Sequence, residues 1–146
     1  MVHSIASASL IGIEAQLIQV EIDLLNRLPA ISIVGLPDSS IKESADRVRS
    51  AIQQSGFTFP RKRIIANLAP ADVKKQGSQF DLPIAVAILL TSLRIETNRS
   101  RQTLFVGELS LDGSLRAIKG ALSFALLAKE QGYSYLVLPT ENASEA

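Results

Sequence analysis

The sequence predicts an α+β fold, a mixed sheet with three main helices packed over it. Short β-branched or alternating runs recur along the chain, and three segments of helical period fall among them. Their order, strand-strand-strand-helix-strand-helix-strand-strand-helix-strand, is not the regular alternation of a doubly wound sheet. With 146 residues, 47% apolar and 20% charged, the chain is sized for one domain around a real core. Aromatics are 5% and Trp is absent, so that core must be built from Ile, Leu, Val and Ala.

The first strand runs from His3 to Leu10. Between Ala15 and Leu24 the residues Ile18, Val20, Ile22 and Leu24 alternate with Gln19, Glu21 and Asp23, the pattern of a half-buried strand. Gly12 between the two runs predicts a hairpin. Asn26 to Pro29 supplies a turn, and Ala30 to Leu36 is a short β-branched strand, so the three strands are expected to start the sheet antiparallel. Pro37 to Ser40 announces a helix, with Ser40 and Glu43 at capping-box spacing and Asp38 as the competing N-cap. Ile41, Ala45, Val48 and Ile52 give that helix one apolar face, and Gly56 ends it. Arg63 to Leu68 is the next strand.

The stretch from Asn67 to Leu90, NLAPADVKKQGSQFDLPIAVAILL, carries the most information. Asp81 before the apolar run and Pro83 just inside it read as an N-cap and a first-turn proline. The helix from Leu82 to Thr91 is apolar on every face, yet far shorter than the ~20 residues a bilayer requires. It is therefore the expected central buried helix, with KKQGSQF as a solvated loop at its start. A lysine-bearing glycine loop at a helix N-terminus is also where anion sites and nucleophiles are built. Beyond it, Arg94 to Gln102 reads as an exposed loop and Leu104 to Leu109 as a strand. A hairpin follows with Asp112-Gly113 at its tip. A third helix spans about Gly120 to Gln131, Tyr135 to Leu138 is a last strand, and Pro139 to Ala146 trails off.

Composition excludes several chemistries. Without Cys there is no disulfide or thiolate metal site, which fits a reducing cytosol, and a lone His3 makes no zinc cluster. The N-terminus lacks the basic flank and apolar core of a signal peptide, so the expected location is cytoplasmic, with no membrane partner. Net charge is +1, but basic residues outnumber acidic ones ten to four between Asp46 and Arg101, whereas acidic residues prevail on either side. Arg47, Arg49, Arg61, Lys62, Arg63, Lys74 and Lys75 thus form either a solvated face or an electropositive surface for nucleic acid or a partner subunit.

Motifs for catalysis are missing. From Gly35 or Gly77, the positions a P-loop needs for its second glycine and lysine hold Ser40 and Ile41, or Leu82 and Pro83. A Ser-His-Asp triad would have to use His3 near the terminus. A serine–lysine dyad from Ser78 with Lys119, Lys74 or Lys75 needs a neutral lysine, which a solvated loop does not provide. Asp72, Asp81, Glu108 and Asp112 are dispersed, each with a turn or capping explanation, and no metal-binding spacing is present.

The segments GLPDSSIKESADRVRSAIQQSGFTFP, NLAPADVKKQGSQFDLPIAVAIL and LFVGELSLDGSLRAIKGAL resemble the N-terminal domain of the magnesium-chelatase-like AAA+ ATPases called ComM or YifB. The resemblance covers essentially the whole chain. It implies a sandwich like the second domain of a small-subunit ribosomal protein, shared with the Lon protease domain and the RadA C-terminal domain. It also implies that residues 1–146 are one Lon-like domain truncated from a longer protein. The motor of that protein would hold ATP and Mg, assemble as a hexamer and process DNA in competence and recombination; this fragment itself would bind no cofactor.

The Lon likeness tests the dyad directly. Laying the Lon loop P-K-D-G-P-S-A-G over Lys74 to Asp81 puts Gln79 at the nucleophile, and laying P-I-G-G-x-K over Ala117 to Leu122 puts Leu122 at the lysine. Both dyad positions are degenerate, so no catalytic residue is expected. The resemblance implies an accessory domain serving DNA contact, subunit assembly or motor regulation. A Lon-like peptidase and an oligomerisation module without DNA contact are the alternatives. The DNA candidates are the seven basic residues named above, acting by phosphate neutralisation rather than base reading. With few aromatics to expose, base stacking is not expected to contribute.

Overall fold

The computed structural model describes residues 2–146, with side chains from His3 onward. The fold is the expected α+β arrangement around a mixed, six-stranded sheet. Strands β1 (Val2–Ile11) and β2 (Glu14–Leu25) form the predicted hairpin, Ile11 pairing with Glu14 across a two-residue tip at Gly12 and Ile13. Strand β3 (Ala30–Val34) departs from expectation by pairing with neither. It is followed by helices α1 (Ser39–Lys42) and α2 (Ser44–Gln54), then by β4 (Arg63–Ala69), with which it pairs in parallel. A helical crossover returns the chain in the same direction, so β3 and β4 lie side by side while β4 takes the antiparallel place beside β2.

The single helix expected after Pro37 is broken at Glu43. Asp38 wins the N-cap by accepting the Ile41 N–H at 2.9 Å, and the Ser40 hydroxyl donates to Asp38, so the Ser40–Glu43 capping box does not form. Helix α3 (Asp81–Leu93) is the buried central helix, preceded by a 3-10 turn, Ser78–Phe80. Phe80, Ile84 and Ile88 are almost wholly buried, each worth about 1.5–3 kcal/mol of apolar transfer. The expected loop after α3 contains helix α4 (Asn98–Arg101), whose Ser100 N–H is capped by the Thr97 hydroxyl at 3.0 Å.

Strand β5 (Thr103–Phe105) pairs in parallel with β1 and with β8 (Tyr135–Val137). The expected strand from Leu104 to Leu109 is interrupted because the Gly107 N–H and carbonyl bond Gln79 and Leu82, drawing the chain off the sheet toward the start of α3. Its remainder, β6 (Glu108–Leu109), forms the predicted hairpin with β7 (Leu115–Arg116). Helix α5 (Ala121–Glu130) precedes β8. The tail does not trail off: it forms a 3-10 turn, Thr140–Glu145, and buried Asn142 exchanges two 2.9 Å bonds with the Ile118 backbone.

Strand alternation divides the core. Ile5, Ile18, Val20, Ile22, Ile64, Ala66 and Leu68 face α2 and α3, whereas Ala8 and Leu17 point to the other face and meet Phe124 and Leu127 of α5. Among the described residues no helix is long and apolar enough to cross a membrane.

Gly35, at φ +102°, sits where an added Cβ would run into the Leu68 carbonyl of β4. Gly35→Ala is expected to lower unfolding stability by about 3 kcal/mol or more in urea titrations, from backbone strain plus overlap. Gly56 also has positive φ but open space around it, so Gly56→Ala is expected to cost only about 1 kcal/mol.

Candidate functional site

The loop from Pro70 to Asp81 is where sequence pattern and fold converge. Its backbone joins the turn after β3, the Lys75 N–H reaching the Leu36 carbonyl at 3.1 Å and the Asp38 N–H reaching the Lys75 carbonyl at 3.2 Å. The Lys75 side chain is not solvated as expected. It is 1% exposed and donates Nζ to the carbonyls of Gly35, at 2.6 Å, and Pro70. Burial pushes its pKa below the usual lysine range, with Asp72 opposing the shift. Asp38 completes the tie by accepting the Gly77 N–H at 3.0 Å.

Gln79 is buried at the position the Lon comparison assigns to the nucleophile. Its Nε2 donates to the carbonyls of Gln76 at 2.7 Å and Ala8 at 3.1 Å, and its side chain fills the space a Cβ on Gly77 would need. An amide so held has no nucleophilic atom to offer. Leu122 lies on the outer face of α5, 56% exposed. Ser78 donates its hydroxyl to Glu108, and no lysine amine or imidazole is bonded to it among the described residues. The loop's polar groups are therefore turned to holding backbone together.

Asp81 is not an N-cap. It is the first residue of α3, with Phe80 in the cap position, and its carboxylate is fully buried. Four bonds compensate: Ser44 Oγ, Arg47 Nε at 2.7 Å, Arg47 Nη2 at 3.1 Å and the Leu109 N–H at 3.0 Å. A bidentate guanidinium plus neutral donors is the arrangement that makes a buried carboxylate tolerable. The Asp81 hydrogen bond raises the Arg47 pKa against a lowering by burial, with Glu108 and Glu43 adding to the rise.

The seven basic candidates therefore separate. Arg47 is committed to Asp81 and the Ser40 carbonyl, and Lys75 is enclosed. Arg49, Arg61 and Lys62 line one cleft beside α2, where the Arg49 guanidinium stacks over the Phe59 ring at 5.0 Å. Arg63 extends from β4 to donate to the Ser32 hydroxyl at 2.7 Å, and Lys74 is exposed on its own loop. Phe57 is 44% exposed next to this cleft in sequence, an outward aromatic that the low aromatic content did not foretell. Among the described residues no group of three or more His, Asp or Glu side chains is placed to hold a metal ion.

The sequence model for subunit ChlI of Mg-chelatase matches residues 20–142. The chain belongs to the Mg-chelatase subunit ChlI family. It is 43% identical over its whole length to the competence protein ComM of Haemophilus influenzae and 45% identical over 99% of its length to YifB of Salmonella typhimurium. YifB of Escherichia coli is 44% identical over 94% of the chain. The resemblance to magnesium-chelatase-like ComM and YifB proteins is thereby borne out. The chain spans only 28% of the length of the first two relatives and 26% of the third.

Asp81→Asn leaves the Arg47 charge without its bidentate partner and is expected to destabilise by about 3 kcal/mol in urea unfolding. Glu43, whose side chain is 68% exposed at 3.6 Å from Arg47, should shift stability by less than about 0.5 kcal/mol when changed to Gln. Lys75 gives a pH test. Its folded pKa lies below the ordinary 10.5 of the unfolded chain, so the unfolded state binds more protons in that window and stability rises with pH. The stability of the native chain relative to Lys75→Met is expected to increase as pH climbs toward 10.5, then level off. A difference that stays flat with pH would show that Lys75 is not held in this way.

Proposed function

We propose that this chain is a non-catalytic, Lon-like accessory domain of a longer magnesium-chelatase-like AAA+ ATPase, contributing nucleic-acid contact to a cytoplasmic DNA-processing motor. The observation that carries the reading is the contrast between two sets of polar residues. Gln79, Lys75, Ser78 and Asp81 are engaged in structural bonds, whereas Arg49, Arg61 and Lys62 converge on a solvent-facing cleft. In this reading, ATP and Mg are bound by the motor, which the longer relatives have room to contain, and the full assembly is a hexamer. The name of the Haemophilus influenzae relative, a competence protein, agrees with a role in DNA uptake or recombination.

Arg49, Arg61, Lys62, Arg63 and Lys74 neutralise phosphates on this view and read no base. Such binding releases counterions, so affinity falls with salt by a logarithmic slope of about −0.9 for each duplex phosphate neutralised. Duplex binding by the chain is expected at low salt and should be lost steeply on adding NaCl. Arg61→Glu with Lys62→Glu and Arg63→Glu should weaken it by at least about tenfold and flatten the salt slope. No affinity at low salt, or affinity indifferent to the triple change, would leave an assembly or regulatory module without DNA contact. Casein hydrolysis that Ser78→Ala abolishes would instead establish a peptidase.

A further inference from the structure

The fold leaves one surface whose chemistry is opposite to the basic cleft. Ile11 and Ile13, at the β1–β2 hairpin tip, are 55% and 88% exposed, and Leu122 and Leu126 on the outer side of α5 are 56% and 53% exposed. The Ser123 hydroxyl donates to the Ile13 carbonyl at 2.6 Å, so the hairpin tip is fastened to the helix and the apolar side chains are presented on a fixed frame. Two adjoining clefts of about 390 and 590 Å³ run between these elements and share Glu14, Ala15, Leu127 and Glu130.

We propose that this groove docks a basic amphipathic helix from another polypeptide. Ile13 and Leu126 line the groove, and exposed Leu122, one helical turn before Leu126, extends its apolar edge, giving the spaced contacts that a helix in a groove uses. Charge chooses the occupant. Both acidic side chains of the groove are exposed, and no Lys or Arg lines either cleft, since Lys129 turns to the other flank of α5 beside Gly132 and Tyr133. A second copy placed by two-fold symmetry would set these carboxylates against their own equivalents. An anionic membrane would meet the same repulsion, whereas Lys or Arg flanking an apolar stripe would be attracted. Leu122 occupies the position at which the Lon comparison expects a catalytic lysine, so an amine there is replaced by a contact side chain.

The test uses the chain itself with a fluorescein-labelled Leu/Lys amphipathic helical peptide, followed by anisotropy, and a Leu/Glu peptide of the same apolar face. The Leu/Lys peptide should bind at least about tenfold more tightly than the Leu/Glu peptide. Leu122→Ser with Leu126→Ser should weaken it by about tenfold or more, and Glu14→Gln with Glu130→Gln by about threefold. Ile13→Ser, at a hairpin tip too exposed to upset the core, should weaken it without altering the circular dichroism spectrum. Equal binding of the two peptides, or indifference to all three changes, overturns the proposal. So does concentration-dependent self-association abolished by the Leu122→Ser and Leu126→Ser changes, or preferential binding to phosphatidylglycerol vesicles.

Discussion

A fully buried carboxylate organises this domain. A carboxylate buried in an apolar interior needs hydrogen-bonding partners, and those of Asp81 come from two other elements of the fold. Ser44 and Arg47 come from α2, and the Leu109 N–H comes from β6, while Asp81 itself begins α3. One charge thus fixes the angle between two helices and brings the β6–β7 hairpin onto them. The Arg47 Nη2 bond to the Ser40 carbonyl at 2.7 Å carries the same constraint into α1. Replacing a buried ion pair with apolar groups of equal volume is often neutral for stability, but here it would remove four geometrically distinct restraints at once.

Lys75 repeats the device with opposite charge. Among the described residues its ammonium group forms no salt bridge, Asp72 acting on it only from a distance, and it is satisfied by two backbone carbonyls, one from the turn after β3 and one from the segment after β4. Those carbonyls are left without a strand partner because the parallel β3–β4 pairing ends at Val34 and Asn67. A buried lysine is a costly way to satisfy them, which is why its charged form is disfavoured in the folded state. The cost is offset by the closure it gives: Gly35, Asp38 and Gly77 then meet in a single loop junction directly before α3.

Elements whose information is local were legible in the sequence. The alternation in β2, the Gly12 and Asp112-Gly113 tips and the apolar run of α3 each specify their structure within a few residues. What was not legible depends on partners far along the chain. Asp81 read as a cap because Asp before an apolar run usually is one, and only the approach of Arg47, 34 positions earlier, makes it a hub. Lys75 read as solvated beside Lys74 because adjacent lysines look alike until one is seen turning inward while the other remains exposed. Pairing of β3 with β4 rather than β2 is a topological choice that turn composition does not encode. At the basic cleft, charge was visible in sequence, but the grouping of Arg49 with Arg61 and Lys62 required the loop to fold back over α2.

The division of the core by the sheet also separates the two exposed surfaces. Helix α2, bearing Arg49, packs on the Ile18 and Val20 side, while α5, bearing Leu122 and Leu126, packs on the Ala8 and Leu17 side. On the two proposals above, ligands of opposite character would be addressed from opposite faces: polyanions by the guanidinium and ammonium groups, a cationic apolar segment by the carboxylate-flanked groove. Neither occupant would have to displace the other, and the like charges that bind one would repel the other. Between them stands a sheet whose loops are tied by Lys75, Asp38 and Asp81 rather than left free. A partition tied in this way holds the basic cleft and the apolar groove at fixed positions on opposite faces of the sheet, because the loop that carries Lys75 and Gln79 is bonded to the backbone on both sides of it.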